Sequence, residues 1–552
     1  MDRRTGLAVL LMLIVAILPA ILFPPAKRPL PGAGPDSLSV TDTQIAELAN
    51  APAVVVPSRE REAVPIPVDT AKPERLISVE SPLYRWVFST TGARMISADL
   101  KAYRTFAPND SGVAQLLPPG SSFLDYGLLF GNDTIPINNW QFEPDRSQVA
   151  IYEGGTGVLR WTATRGPLTI NLEYTFRADD YLFDIRGELV GTEASGVLLV
   201  GLAPGINQVE ADSTENYRSF GIVSKANKTE NLKFSSLDPG ERRALDGPFE
   251  WLAVKSKYFV VALMALEEGQ PQFGGAIATG GPRAGRTATH TDVVVSLPAL
   301  GGAFSLSAFV GPQEFRRLQR VGHDFEDIDP YGWILRPIIR PVANLIVIVL
   351  LWMHETWSLE YGWVLVLFGL AVRVVLWPLN QKAMRASMAM MALQPEIKAM
   401  QERHKNDPQK LQQETMKLYK THQVNPLGGC LPLLIPMPVL FALFFVFRET
   451  IQFRGVPFLW LPDLSRADPI YIIPIVMGVS MYAVTKISQR GAPPNPQTKM
   501  MLYFMPAFMT FIFLRLSSGL NLYYAVSNIA SIPQQWLISQ ERMRRRQVKA
   551  KD

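Results

Sequence analysis

From about residue 359 onward the chain alternates apolar stretches with basic connectors, and this pattern constrains it more than any other feature. The stretches are Tyr361–Leu379, Leu431–Phe447, Ile470–Val484, Met500–Leu514 and Leu520–Ile538. A bilayer core of about 30 Å needs about 20 helical residues per span, fewer where it is locally thin. Several of these stretches are on the short side. An earlier run, Leu7–Phe23, follows Arg3 and Arg4. The small-x-small cleavage pattern around Leu18-Pro19-Ala20 is poor, so the run is read as a retained anchor rather than a cleaved signal peptide.

Charge divides the chain in the same place. Residues 24–328 hold 28 Lys+Arg and 36 Asp+Glu, whereas residues 329–552 hold 24 and 12. With 48% hydrophobic and 19% charged residues the chain is not a disordered polymer. Basic loops beside apolar runs point to a membrane and its cytoplasmic face. Segment 381–427 has eight basic and four acidic residues, and 487–498 and the 539–552 tail are also basic. Loop 448–468 has three of each. The expected solution is six spans: 1–23, then about 359–380, 428–447, 469–486, 499–515 and 518–538. Both termini are then cytoplasmic and residues 24–328 lie outside. Val342–Trp352, eleven residues behind Pro337 and Pro341, is read as an interfacial helix within 329–358. A seventh span there would invert every later loop.

The outer part has two regions. Residues 24–75 are rich in Pro and Ala, a linker composition. From Leu76 to about residue 328 short alternating runs such as Leu168–Tyr174 and Phe304–Phe309 are divided by Gly and Pro turns, which predicts an all-β sandwich with many strands. Its Trp and Tyr residues suit either a packed core or a sugar-binding face, and the core is the reading taken. Cys430 is the one cysteine, so an internal disulfide and a cysteine-built metal centre are excluded. The five histidines show no ligand spacing, and no G-x-x-x-x-G-K-[ST] phosphate loop occurs. No cofactor or metal is expected.

Arg373 is the outstanding residue of the apolar half. It sits about six residues from the inner end of its stretch, roughly 9 Å deep at 1.5 Å per residue. A lipid-facing arginine at depth costs about 3 kcal/mol, so it should face water or protein. It either snorkels, pairs with an acid, or lines a hydrated cavity. The apolar stretches themselves contain no acid, which favours the cavity. Asn521, Tyr524, Asn528, Ser531 and Gln535 recur at helical spacing and form a polar stripe on one face of the last span. Such a stripe serves either as a groove wall or as interhelical glue. Segment 381–427 predicts two helices, Gln381–His404 and Gln409–His422, about the turn Asn406-Asp407-Pro408. The first is rich in methionine, including Met388 and Met391, which suits varied apolar partners or plain hairpin packing.

At this point the residues match a family. Asn425-Pro426-Leu427-Gly428-Gly429-Cys430 with Pro432 resembles the signature of the YidC/Oxa-type membrane protein insertases. Arg373 with Trp377-Pro378-Leu379, Leu393-Gln394-Pro395, Leu418-Tyr419-Lys420, and Ser518-Gly519-Leu520 with Tyr523-Tyr524 and Ser527-Asn528 fit in the same order over about residues 355–541. The anchor and β-rich outer region are similar to the Gram-negative form.

The resemblance implies a non-enzymatic insertase and chaperone of the bacterial inner membrane. It implies a five-helix core with a groove open to the cytoplasm and to lipid and closed outside. Arg373 would be the groove's charge, and Tyr524, Asn521, Asn528 and Gln535 its substrate wall. The 381–427 hairpin would be a mobile lid making contacts through Met388, Met391, Gln394 and Pro395. Implied partners are nascent membrane proteins, the ribosome, the Sec translocon and lipids, with no small-molecule substrate. Departures from the family pattern are Pro436, where a Gln is frequent, Gly369, where a Thr is common, Asn521, where an aliphatic residue is frequent, and Arg515 near the outer end of its span. A transporter with Arg373 as an anion site is the competing class, but there is no internal repeat and no acidic relay. An outer receptor on a mere anchor is the third.

Overall fold

The computed structural model describes residues 73–549, apart from 131–132, 192–195, 266, 268–271, 286, 300, 330–334, 382–388, 390–392, 406, 423–436 and 491–495. The expected anchor at 1–23, almost all of the linker, Met388, Met391, the Asn425–Pro432 signature and Pro436 lie outside the described residues.

Strands run from Leu76–Glu80 to Ala303–Pro312. They form sheets of five, nine and six strands and a two-stranded ribbon, so the coarser description, a β-rich domain, is the one that holds. Leu168–Arg177 buries every second residue, because a pleated strand sends successive side chains to opposite faces. Trp86, Trp161 and Trp251 are fully buried in one apolar core, as the core-filling reading expects. Two neighbouring strands do not alternate: Trp251–Lys255 and Phe259–Met264 are buried at every position. Both of their faces are covered. Phe325 packs on Trp251 from one segment, and Arg454 lies over Phe259 from another far along the chain.

The helices are α1 (Ser213–Arg218), α2 (Phe315–Val321), α3 (Arg336–Trp357), α4 (Tyr361–Val375), α5 (Gln394–Arg403), α6 (Pro408–Thr421), α7 (Met437–Glu449), α8 (Ile472–Ser488), α9 (Met505–Phe513) and α10 (Ser518–Lys549). A π turn, Met500–Phe504, leads into α9. The backbone N–H of Met505 reaches the Met500 carbonyl, five residues back. Among the described residues one helix, α3, is by itself long and apolar enough to cross a membrane. Tyr361–Val375, Ile472–Ser488 and Met500–Phe513 are shorter apolar helices. The last helix does not stop at Ile538 but continues to Lys549.

α3 corrects the sequence reading in length: the eleven-residue run is part of a helix of 22 residues. Pro337 occupies the first turn, where its missing N–H costs nothing. Pro341 removes only the bond to the Pro337 carbonyl, in that same turn. The helix buries Ile339, Ala343, Ile346, Val347 and Leu350 and exposes Ile338, Leu345, Ile348 and Trp352 at helical spacing. Both its ends are tied to the segment that closes the β-rich domain. At the start Arg336 Nη2 lies 3.0 Å and Arg340 Nε 2.7 Å from Asp327. Near the finish Glu355 lies 2.7 Å from Arg316 of α2.

The β-rich domain marks one end of the helical bundle. Arg448, in the last turn of α7, lies 3.8 Å from Glu215 of α1. His354 of α3 stacks on Tyr361 at the start of α4, with centroids 4.0 Å apart. The loop between α7 and α8 bonds the first turn of α10. Thus α4, α8 and α10 run away from the β-rich domain, and α7 and α9 run toward it. At the other end α5 and α6 form an antiparallel hairpin. His422, just past α6, lies 3.7 Å from Glu396 at the start of α5. Asp407 caps α6 by accepting from the Lys410 N–H at 2.9 Å.

Candidate functional site around Arg373

Arg373 lies in the last turn of α4, half-buried. Its Nε is buried with no hydrogen-bond partner among the described residues. Its electrostatic neighbour is the phenol of Tyr523 on α10. The two helices come together over Gly369: a Cβ there would stand 3.3 Å from Val526 Cγ1 and 3.5 Å from Tyr523 Cδ2. Glycine one turn before Arg373 therefore lets α4 approach α10 closely at Tyr523 and Val526. Past the end of α4, Gln534 Nε2 donates to the Trp377 carbonyl at 3.1 Å and fixes the other end of this contact.

The polar stripe on α10 divides. Asn521 is fully buried and its Nδ2 donates to the carbonyls of Phe513 at 3.0 Å and Leu516 at 3.3 Å, so it closes the α9–α10 turn. Asn528 Nδ2 donates to Ser480 Oγ of α8 at 3.3 Å. Ser531 Oγ donates to the Asn528 carbonyl of its own helix at 2.6 Å. Tyr524 is half-buried, its ring 5.3 Å from Phe513 and 5.4 Å from Tyr523. Gln535 is buried, and its Oε1 lacks a partner among the described residues. Of the five residues, Asn521 and Asn528 join helices, Tyr524 packs in the core beside Tyr523, and Gln535 keeps an unmatched acceptor. Gln394 and Pro395 open α5, and their side chains are outside the described set. Arg515 is exposed at the α9–α10 turn.

Ser480 and Gln534 were not singled out from the sequence, and Tyr523 was noticed as part of a motif but not as a site residue. Tyr523 and Gln534 lie three turns apart on one helix line, next to the stripe that was noticed. A small cavity lies elsewhere, between the β-rich domain and α7. It has about 20 Å³, room for one water, and is lined by Gln313, Glu326, Asp329, Glu449 and Thr450.

A β-rich domain seated on the end of an apolar helical bundle, with an arginine inside the bundle whose Nε is unmatched among the described residues, defines a two-part membrane protein. Residues 76–345 match the YidC periplasmic domain and residues 352–546 match the 60Kd inner membrane protein family. The membrane protein insertase YidC of Chloroherpeton thalassium is 30% identical over 502 residues, covering 85% of this chain and 83% of its own. That of Chlorobaculum parvum is 30% identical over 573 residues, covering 98% and 94%. That of Nitratidesulfovibrio vulgaris strain DP4 is 29% identical over 521 residues, covering 91% and 94%. A solved YidC from Thermotoga maritima aligns over 83% of this chain and 99% of its own at 14% identity, with a TM-score of 0.30. The chain belongs to the YidC family of membrane protein insertases.

Proposed function

We propose that this chain inserts nascent proteins into the bacterial inner membrane, and helps them fold, through a hydrated path beside Arg373. The observation that carries the reading is the buried Nε of Arg373, unmatched among the described residues, on a short apolar helix. A cation there is expensive in lipid and attractive to acidic groups of an entering segment. The apolar span of the client then moves sideways into lipid, where burial of apolar surface is favourable. At 15 residues α4 is short for a full bilayer, which supports local thinning and a shorter apolar path. No bond is made or broken.

The proposed topology has six spans with both termini in the cytoplasm, the β-rich domain in the periplasm and the α5–α6 hairpin as the cytoplasmic lid. α3 lies in the outer interface, a placement supported by ion pairs at both its ends and by its exposed apolar stripe. The proposed partners are the ribosome, the Sec translocon and lipid. The test is photocrosslinking from Tyr524 and Val372 to a stalled ribosome–nascent chain of a membrane protein. Crosslinks that track the client's apolar segment as the chain lengthens support the path. Crosslinks confined to the β-rich domain would reduce the helical half to an anchor and sink the proposal.

A further inference from the structure

We propose that Arg454 is the positioning residue of a seal at the periplasmic end of the bundle, clamping the loop between α7 and α8 to the β-rich domain. The proposal rests on the insertase reading above, since a seal matters only to a path that must stay closed on that side.

The clamp is a built socket. The Arg454 side chain is 3% exposed and that of Glu210 9%. Arg454 Nε donates to both Glu210 carboxylate oxygens, at 2.8 and 3.1 Å, and Nη2 donates to the Val209 carbonyl at 3.2 Å. The guanidinium stands 4.4 Å from the Phe106 ring centre and 5.3 Å from that of Phe259. Burial pushes the Glu210 carboxyl up while Arg454 pulls it down, so each charge depends on the other. The next residue, Gly455, turns the chain at φ 71, with Phe106 where a Cβ would go.

Beyond the clamp the loop is wedged among helix ends. The Phe458 and Leu461 backbones exchange two hydrogen bonds of 2.9 Å. The Phe458 ring fills the space over Gly362, so that any side chain at that position of α4 would collide with it. Leu464 is fully buried, and its carbonyl accepts from the Gly519 N–H at 2.9 Å. The Arg466 carbonyl accepts from the Ser518 N–H at 2.6 Å, and Ser518 Oγ donates to the Asp463 carbonyl at 3.1 Å. Gly519 in turn faces the Phe447 ring of α7. One loop therefore plugs the space between α4, α7 and α10, and Arg454 fastens it from the far side. The β-rich domain reaches the first turn of α10, the helix of Tyr523 and Tyr524, through this loop.

The experiment uses the full chain, with Cys430→Ser and Leu464→Cys, in proteoliposomes whose β-rich domain faces outward. A membrane-impermeant maleimide reads the opening of the loop, and protease protection of a client reads insertion. Arg454→Ala should raise the labelling rate at position 464 by about tenfold or more, as local opening becomes frequent, and lower insertion. Arg454→Lys, which keeps the charge but loses the bidentate arm, should give a smaller rise. The exchange Glu210→Arg with Arg454→Glu should return both readouts toward the parent. Unchanged labelling in Arg454→Ala would overturn the proposal, whatever insertion does, as would raised labelling with parental insertion. A parent protein that inserts no client while position 464 stays protected would instead overturn the insertase reading and leave the clamp standing.

Discussion

Asn521 holds the carbonyl of Phe513 across the α9–α10 turn, its Nδ2 3.0 Å from that oxygen, while no part of the residue reaches solvent. An aliphatic residue at this position could make no such bond. Replacing Asn521 by Leu removes both bonds, while the Phe513 carbonyl keeps the Leu516 N–H, so the expected loss is about 1 kcal/mol. Thermal unfolding of the purified chain should show it as a lower Tm, with the choice among clients unchanged. A shift in client choice without a change in Tm would return Asn521 to the groove wall.

Asn528 and Ser480 pair across α10 and α8, and each is replaceable singly. Asn528→Ala, Ser480→Ala and the double variant form a cycle, with an expected coupling of about 0.6 kcal/mol, typical of polar pairs between membrane helices. Zero coupling in unfolding measurements would free Asn528 for contact with the client.

Arg373→Ala should reduce insertion of clients with acidic periplasmic segments by about tenfold, and Arg373→Lys should stay within about twofold of the parent. Clients whose translocated segments lack charge should be affected less by either change. Parental activity of Arg373→Ala on acidic clients would remove the electrostatic account of the path.

Asp324 accepts from Lys225 Nζ at 2.6 Å, and this bond, helped by Arg340 and Arg336, holds its carboxyl below the ordinary value of 3.8. An acid with a depressed folded pKa stabilises the fold fully above its unfolded value and loses that contribution as pH falls through the folded one. The Tm of the full chain should therefore fall on acidification below about pH 4, part of the fall coming from Asp324. Asp324→Asn should lower Tm at neutral pH and flatten this part of the acid slope. An unaltered slope would assign the acid sensitivity to other carboxylates.

How much of this was legible beforehand depended on whether neighbours were needed to read it. Alternation in Leu168–Arg177 announces a strand because one face meets the core and the other meets water. The unbroken apolar run Phe259–Met264 departs from that pattern because its second face is covered by residues such as Arg454, almost two hundred positions away. Pro337 and Pro341 look like breakers in a linear reading, yet Pro337 falls in the first turn of α3, and Pro341, one turn further in, costs the helix only the bond to the Pro337 carbonyl. The stripe on α10 was visible, but its division into turn closure, interhelical bond and unmatched acceptor depends on which helix lies opposite each residue. Glu210 and Arg454 showed no local sign of their partnership: each is a single charge in a connecting segment until the fold removes water from around both.

Finally, α10 spans 32 residues without a break. At 1.5 Å per residue that is about 48 Å, some 18 Å more than a hydrocarbon core of about 30 Å. Its first turn is fixed at the loop under the β-rich domain, so in the proposed topology the surplus emerges at the cytoplasmic face as a helical post, with one backbone bond missing at Pro533. A post has a reach that a flexible tail lacks. In that topology the basic sequence at its tip stands off the membrane surface, where a bulky partner would meet charge before lipid.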